Sequence, residues 1–316
     1  RKTAGVHLGS PIRALVFMRA SASNRFIDPQ VLSRIRDLEL VAKTVVEGFL
    51  TGLHHSPYHG FSLDFVEYRE YAPGDDLRRV DWNVYGRTDR FYVKKYEGDT
   101  NTQLYILLDV SRSMGFSSHQ VSKLDYARFL AASLAYLAMR QKDAAGLMSF
   151  NVDMVSHVPP RTQQGHFFTL LNHLETLEMA GETDILGAVE KLTHLVRRRA
   201  LVVLISDFYQ DIDKIAKALR FFHFRGNDVI LFHILDPAEM EMPFSDISTL
   251  EDMETEEYLP YSPEHSRSKY LKLLAGHIEG LRKECRGIHI DYELLNTEKA
   301  LDQALHRYLS VREKRY

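Results

Sequence analysis

One stretch decides the fold of this chain: it runs Leu107-Leu108-Asp109-Val110-Ser111-Arg112-Ser113-Met114. It completes an apolar run that starts at Leu104, and five apolar or aromatic residues in succession predict a buried strand. The loop that follows places one carboxylate and two hydroxyls close together, in the pattern Asp-x-Ser-x-Ser. Hard oxygen ligands of this kind suit Mg²⁺. Because open α/β sheets bind ligands at the carboxyl ends of their strands, the stretch predicts a fold class and a metal site together.

Strand and helix patterns alternate from residue 102 onward. We predict strands at Leu104–Asp109, Ala144–Phe150, Ala200–Ser206, Asp228–Leu235 and Gly287–Leu295, with a short edge strand at Met154–Val158. We predict helices at Leu124–Arg140, Gly165–Leu177, Asp184–Arg199, Ile212–Arg225, Ser268–Cys285 and Lys299–Tyr308, and a hairpin in Phe244–Tyr261. This alternation predicts an α/β fold with a doubly wound, mainly parallel, Rossmann-like sheet covered by helices on both faces.

The chain before this sheet is divided into two further parts. Residues 1–27 are expected to be poorly ordered, and Ile12–Met18 is too short and lacks a clear cleavage site for a signal peptide. Residues 28–99 are expected to hold an N-terminal helix, from Asp28 to Gly48, and a small β-rich module, which leaves residues 100–316 for the sheet domain. His54, His55 and His59 lie in a predicted loop without a carboxylate or cysteine at ligand spacing, which favours a solvated loop over a metal site.

Composition excludes several classes of protein. The 316 residues carry a formal net charge of −3, which argues against a dedicated nucleic-acid binder. The chain has one cysteine, Cys285, which rules out an internal disulfide framework and favours a reducing, cytoplasmic location. No apolar run approaches the roughly 20 residues that a membrane helix needs.

Three loops at one predicted sheet edge carry the candidate ligands. The first holds Asp109, Ser111 and Ser113, the second holds Thr183, and the third holds Asp207. Each residue alone also fits a structural role, since Ser111, Thr183 and Asp207 could each cap a helix. All three loops in this order favour a divalent cation, most simply Mg²⁺ with Mn²⁺ or Ca²⁺ as alternatives, and leave a position open for an outside carboxylate.

This pattern resembles the metal-ion-dependent adhesion site of von Willebrand factor type A domains over residues 100–309. The resemblance implies that Asp109, Ser111, Ser113, Thr183 and Asp207 hold a divalent ion, usually Mg²⁺. The chain departs from that family in two places. Gly181-Glu182-Thr183 replaces the commoner double glycine before threonine, and Ser206-Asp207-Phe208 stands where the family often has Thr-Asp-Gly.

A second signature precedes the sheet domain, in residues 63–97. Arginines and acids alternate there with aromatics around the turn Pro73-Gly74-Asp75-Asp76. Two interpretations remain open: a charge-paired subdomain anchored by Trp82, or a partner-binding surface of bidentate arginines. The candidate residues of this module are Glu67, Arg69, Asp75, Asp76, Arg78, Asp81, Trp82 and Arg87. The signature resembles that of the domain of unknown function 58 family, whose bacterial or archaeal members are found beside MoxR-type AAA+ ATPases.

Three functions remain possible at this point. The leading one is a metal-dependent protein-interaction module without catalytic activity, an adaptor or chaperone-like partner of a MoxR-type AAA+ ATPase that acts on a client protein. The alternative is a Mg²⁺- or Mn²⁺-dependent hydrolase or phosphoryl-transfer enzyme using the same site. The sequence shows no phosphate-binding glycine loop and no evident nucleophile for it. Nucleic-acid binding through Arg197-Arg198-Arg199 and Arg78-Arg79 ranks last, because a helix C-terminus favours positive charge in any case.

Overall fold

The structure is a computed structural model. It describes residues 28–54, 68–70, 90–94, 103–163, 165–196, 199–243, 248–251, 258–261 and 263–313. The module residues Glu67, Asp75, Asp76, Arg78, Asp81, Trp82 and Arg87 lie outside the described residues, as do residues 1–27, His55, His59, Arg197 and Arg198.

The strands of the described residues form one large sheet and two small ones. The large sheet contains β3 (Gln103–Asp109), β4 (Ala144–Phe150), β5 (Met154–Arg161), β6 (Leu201–Ser206), β7 (Asp228–Leu235) and β10 (Asp291–Asn296). The small sheets are the antiparallel pairs β1 (Tyr68–Glu70) with β2 (Tyr92–Lys94), and β8 (Ser248–Glu251) with β9 (Tyr258–Tyr261). The second pair confirms the predicted hairpin. In the first pair, Arg69 lies opposite Val93.

The helices connect these strands along the chain. They are α1 (Pro29–Leu32), α2 (Leu38–His54), α3 (Lys123–Arg140), α4 (His166–Glu175), α5 (Ile185–Leu195), α6 (Ile212–Phe224), α7 (Pro237–Glu241), α8 (Pro263–Gly287) and α9 (Asp302–Glu313). No helix in the described part of the chain is long and apolar enough to cross a membrane.

The strand order of the large sheet confirms the predicted doubly wound fold. The order is β10-β7-β6-β3-β4-β5, and every neighbouring pair is parallel except β4 with β5. Strand β3 lies between β4 and β6, so the chain leaves β3 for one side of the sheet and later returns to the other. This reversal of direction opens a crevice at the carboxyl ends of β3 and β6, where doubly wound sheets bind ligands.

Buried apolar side chains cover both faces of the sheet. On one face, residues of α2, α3, α4 and α9 pack together with alternate residues of the central strands. On the other face, α5, α6 and α8 form a second buried cluster. All six residues of β6 are buried, which is why this strand appears in the sequence as a continuous apolar run. Helix α2 contributes Val41, Val45 and Val46 to the first cluster, so it packs within the same layer as the sheet domain.

Local capping interactions account for the main differences from the predicted elements. The single helix expected from Asp28 to Gly48 is two helices, because the Asp37 carboxylate accepts hydrogen bonds from the backbone N–H groups of Glu39 and Leu40 and starts α2 there. Helix α7 was not predicted, and a capping box of Asp236 and Glu239 fixes it. Gly287 ends α8 rather than starting the last strand.

Candidate metal centre

Asp109 is the centre of the candidate site. It is the last residue of β3 and is completely buried. Its Oδ1 accepts a hydrogen bond from the Ser111 backbone N–H at 2.9 Å, and its Oδ2 accepts one from the Ser206 hydroxyl at 2.6 Å. Since Ser206 is the last residue of β6, the carboxylate bridges the ends of the two central strands. These two bonds hold Asp109 in one orientation.

The two serines of the first loop lie side by side. Ser111 precedes a short 3₁₀ helix, Arg112–Gly115, but its side chain makes no capping hydrogen bond there. Its hydroxyl instead lies 3.1 Å from the Ser113 hydroxyl. Ser111 is buried, whereas Ser113 is partly exposed. The hydroxyls are therefore not used to start the helix, and the Ser113 side chain also forms a hydrogen bond with the Asp207 carboxylate.

Thr183 joins the same cluster from the second loop. Its Oγ1 lies 3.3 and 3.4 Å from the two carboxylate oxygens of Asp109. The N-cap position of α5 is taken by Asp184, so Thr183 does not cap that helix. The backbone N–H of Arg112 donates to the Gly181 carbonyl at 3.0 Å, and the Gln210 side-chain amide donates to the Thr183 carbonyl. These bonds tie the second loop to the first and third loops.

Asp207 occupies the third loop and is paired with a buried lysine. The Lys123 ammonium, at the first residue of α3, donates to Asp207 Oδ2 at 2.8 Å and to Glu239 Oε1 at 2.7 Å. Asp207 does not cap α6, because Asp211 accepts the hydrogen bonds of that helix start. Lys123 and Glu239 were not among the site residues predicted from the sequence. The only signal in the sequence for Glu239 is its position three residues after Asp236-Pro237, a capping-box spacing.

Burial and neighbouring charges shift the pKa values of the two carboxylates of the site in opposite directions. Burial, together with the nearby charge of Asp207, raises the pKa of Asp109 from 3.8 to about 7. Burial alone would also raise the pKa of Asp207, but the Lys123 ammonium outweighs it and holds that pKa below its ordinary value. Asp207 is thus ionised at neutral pH, while Asp109 is poised between its two protonation states.

Buried aromatic side chains pack against one another at the third loop. Phe208 is fully buried although its backbone adopts a left-handed conformation with φ of 51°. Its carbonyl lies 2.9 Å from His277 Nε2, and its ring packs edge-on against His233 at 5.5 Å between centroids. Burial lowers the pKa of His233 from 6.5 to about 3, so this side chain is neutral beside the site. A glycine, common at this position in the resembled family, would take up the same φ without strain.

The donor set fits a hard divalent cation. Carboxylate and hydroxyl oxygens of Asp109, Ser111, Ser113 and Thr183 converge within hydrogen-bonding distances, and Mg²⁺ prefers such ligands while retaining several waters. In the described part of the chain, no group of three or more His, Cys, Asp or Glu side chains is placed to hold a metal ion, at this site or elsewhere, so hydroxyl oxygens and waters would have to complete the ligand set here. The structure therefore brings together all five side chains predicted as ligands, with Asp207 linked to the others by a hydrogen bond with the Ser113 side chain and by its charge near Asp109.

Comparisons with known proteins agree with the sequence signature. The family model described as "Protein of unknown function DUF58" matches residues 67–279. Uncharacterized proteins of Mycobacterium tuberculosis and Mycobacterium bovis are 28% identical over 291 residues, covering 91% of this chain and 91% of theirs.

Solved structures matched in the comparison share little sequence with this chain. BatB from Bacteroides thetaiotaomicron is 15% identical, with a TM-score of 0.45 over 67% of this chain and 99% of that chain. The SpRpn10 VWA domain is 13% identical, with a TM-score of 0.32 over 43% of this chain and 76% of that chain.

Proposed function

This chain belongs to the DUF58 family, and on that premise we propose that it is a metal-dependent protein-interaction module. In this proposal it acts in the cytoplasm as an adaptor or chaperone-like partner of a MoxR-type AAA+ ATPase and of a client protein. The sequence signature resembling the family supports the choice of ATPase. The buried, unpaired thiol of Cys285 supports a reducing compartment.

One observation carries the proposal: oxygen donors from three separate loops meet at the switch point of the sheet, and none of the predicted caps is used as a cap. Asp109 and Asp207 are buried, whereas Ser113 and Thr183 are partly exposed, so the cluster opens toward solvent on its hydroxyl side. A divalent cation bound here, most simply Mg²⁺, would supply a Lewis-acidic position for a carboxylate of the partner.

The residues around the cluster provide positioning and a contact surface. Ser206 orients Asp109, and Gln210 holds the loop that carries Thr183. Val152 is 55% exposed and Met179 is 46% exposed on the loops beside Gly181. In the proposed complex these two side chains would contact the partner beside the bound cation.

Binding to a purified MoxR-type AAA+ ATPase from the same genome tests the proposal. We expect binding in Mg²⁺ that is lost in excess EDTA and lost in Asp109→Ala. The matched control is Asp213→Ala, which removes an exposed carboxylate at the start of α6 and is expected to bind normally. Binding that persists in EDTA and is unchanged by Asp109→Ala would contradict the metal-bridged function.

A further inference from the structure

Lys123 is a buried cation inside the candidate metal centre. Its side chain is 1% exposed, and its ammonium lies between Asp207 and Glu239 at 2.8 and 2.7 Å. The rings of Tyr209 and Phe116 lie 5.1 and 5.9 Å from the same nitrogen. Removing a lysine from water is costly unless opposite charges pair with it, and here two carboxylates do so.

The helix that carries Lys123 does not explain its charge. Ser122 caps α3 by accepting a hydrogen bond from the Asp125 backbone N–H, so no lysine is needed to start the helix. The first turn of a helix carries the positive end of the macrodipole, which disfavours a cation there. The charge of Lys123 must therefore be explained by the carboxylates that it contacts rather than by helix formation.

Glu239 is held in place by interactions of its own. One carboxylate oxygen accepts the Asp236 backbone N–H at 2.8 Å in the capping box of α7, and the other accepts the ammonium. With Asp109 ionised, the carboxylates of Asp109, Asp207 and Glu239 together with the Lys123 ammonium carry a combined charge of −2. One divalent cation balances that charge. Without the ammonium, the loaded site would keep a negative charge and repel an acidic ligand.

From this arrangement we infer that Lys123 is a positioning residue that sets the charge of the metal centre. It holds Asp207 by Oδ2, weakens the site for a divalent cation, and leaves the loaded site neutral toward an acidic side chain of a partner. The inference rests on the proposed function in its last step alone, because the effect on cation affinity is a property of this chain by itself.

Direct titration with Mn²⁺ tests the inference without any partner. The full chain is freed of metal, titrated with Mn²⁺ while free Mn²⁺ is read by electron paramagnetic resonance, and then displaced with Mg²⁺. We expect Lys123→Met to bind Mn²⁺ at least tenfold more tightly than the wild type. We expect the double variant Lys123→Met/Glu239→Gln, which restores the original charge, to return to within about threefold of the wild type. The matched control is the exposed Lys214→Met, which should leave the affinity unchanged.

A second variant keeps the test decisive if Lys123→Met does not fold. Glu239→Gln keeps the ammonium and removes one negative charge, so it should weaken Mn²⁺ binding several-fold. A folded Lys123→Met with unchanged or weaker affinity, or a Glu239→Gln without any loss, would overturn the inference while leaving the metal centre intact. A wild type that binds no Mn²⁺ while Lys123→Met does would support the effect of Lys123 on cation affinity and would contradict the metal-dependent function of the wild type. If neither binds Mn²⁺ at millimolar concentration, both the inference and the proposed function fail.

Discussion

Replacing Asp109 by asparagine should stabilise the metal-free protein at alkaline pH, although Asp109 lies at the centre of the site. The carboxylate is fully buried, and its pKa is raised from 3.8 to about 7 by burial and by the charge of Asp207. A shift of this size corresponds to about 4 kcal/mol of unfavourable free energy for the ionised form in the fold. Asparagine has nearly the same shape and no charge, but it loses the acceptor for the Ser206 hydroxyl, which costs about 1 kcal/mol. The expected net gain is about 3 kcal/mol.

The gain in stability from Asp109→Asn should increase as the pH rises. Below about pH 4 the carboxyl is protonated in both the folded and the unfolded chain, so Asp109 and its asparagine variant should differ little. Between about pH 4 and pH 7 the unfolded chain has released its proton while the folded chain retains it, and the wild type loses stability as the pH rises. Above pH 7 the asparagine variant should be more stable than the wild type by the full amount of about 3 kcal/mol.

Urea unfolding in EDTA, at several pH values from 4 to 8, measures the effect. Repeating it in Mg²⁺ should reduce the difference at alkaline pH, because ligand binding stabilises the wild type while the variant lacks the carboxylate ligand. The exposed Asp213→Asn is the matched control and should change stability by no more than about 0.5 kcal/mol at any pH. An asparagine variant no more stable than the wild type at pH 8 in EDTA would refute the electrostatic reasoning.

Four further substitutions, at three positions, test the sheet and its carboxyl edge. Because burial lowers the pKa of His233 from 6.5 to about 3, the contribution of His233 to stability should be lost as the pH falls from about 6.5 to 3. His233→Phe should remove this acid sensitivity in urea unfolding. The substitution also leaves the Tyr292 hydroxyl without its 2.8 Å contact to His233. Phe208→Ala and Phe208→Gly should both destabilise the fold by about 3 kcal/mol or more. The glycine variant should be more stable than the alanine variant by about 1 kcal/mol, because residue 208 has φ of 51°. The opposite ranking would argue against backbone strain at this position. Gly146→Ala should cost about 1–3 kcal/mol in thermal or urea unfolding, since its Cβ would lie 2.8 Å from Pro160, and an unchanged stability would mean that the edge strand yields easily.

The arrangement of the sheet could be predicted because its central strands are buried on both faces. A strand such as Leu201–Ser206 needs apolar residues at every position, and this pattern is visible without any structure. Element ends were harder to predict, because single side chains decide them. The Asp37 carboxylate starts α2, and the Asp236 capping box makes a five-residue helix that has no room for a hydrophobic period.

The positions of the candidate ligand residues could be predicted from the sequence, whereas the burial of Lys123 could not. Asp109 and Asp207 follow apolar strands, so the parallel sheet brings them to one edge once the strands are recognised. Lys123 is the first residue of α3, and a lysine at a helix end is usually a solvated charge, whereas α3 is buried over most of its length. Its burial depends on Asp207 and Glu239, which are 84 and 116 residues away in the chain. Contacts of that range carry no local signal, so only the folded structure reveals the cation.

The energetically unfavourable features of this fold lie at the same edge of the sheet as the candidate ligands. A carboxylate with a pKa of about 7, a neutral buried histidine with a pKa of about 3 and a phenylalanine in the left-handed region all surround the ends of β3, β6 and β7. The charge penalty at Asp109 could be removed at little cost in packing, as Asp109→Asn illustrates. Unfavourable features of this kind persist where function requires them, and an ionisable, cation-binding carboxylate requires the charge that burial opposes. Binding of Mg²⁺ would relieve the largest of these costs, so cation binding and stability of the sheet edge should be coupled, and the coupling should vanish when Asp109 loses its charge.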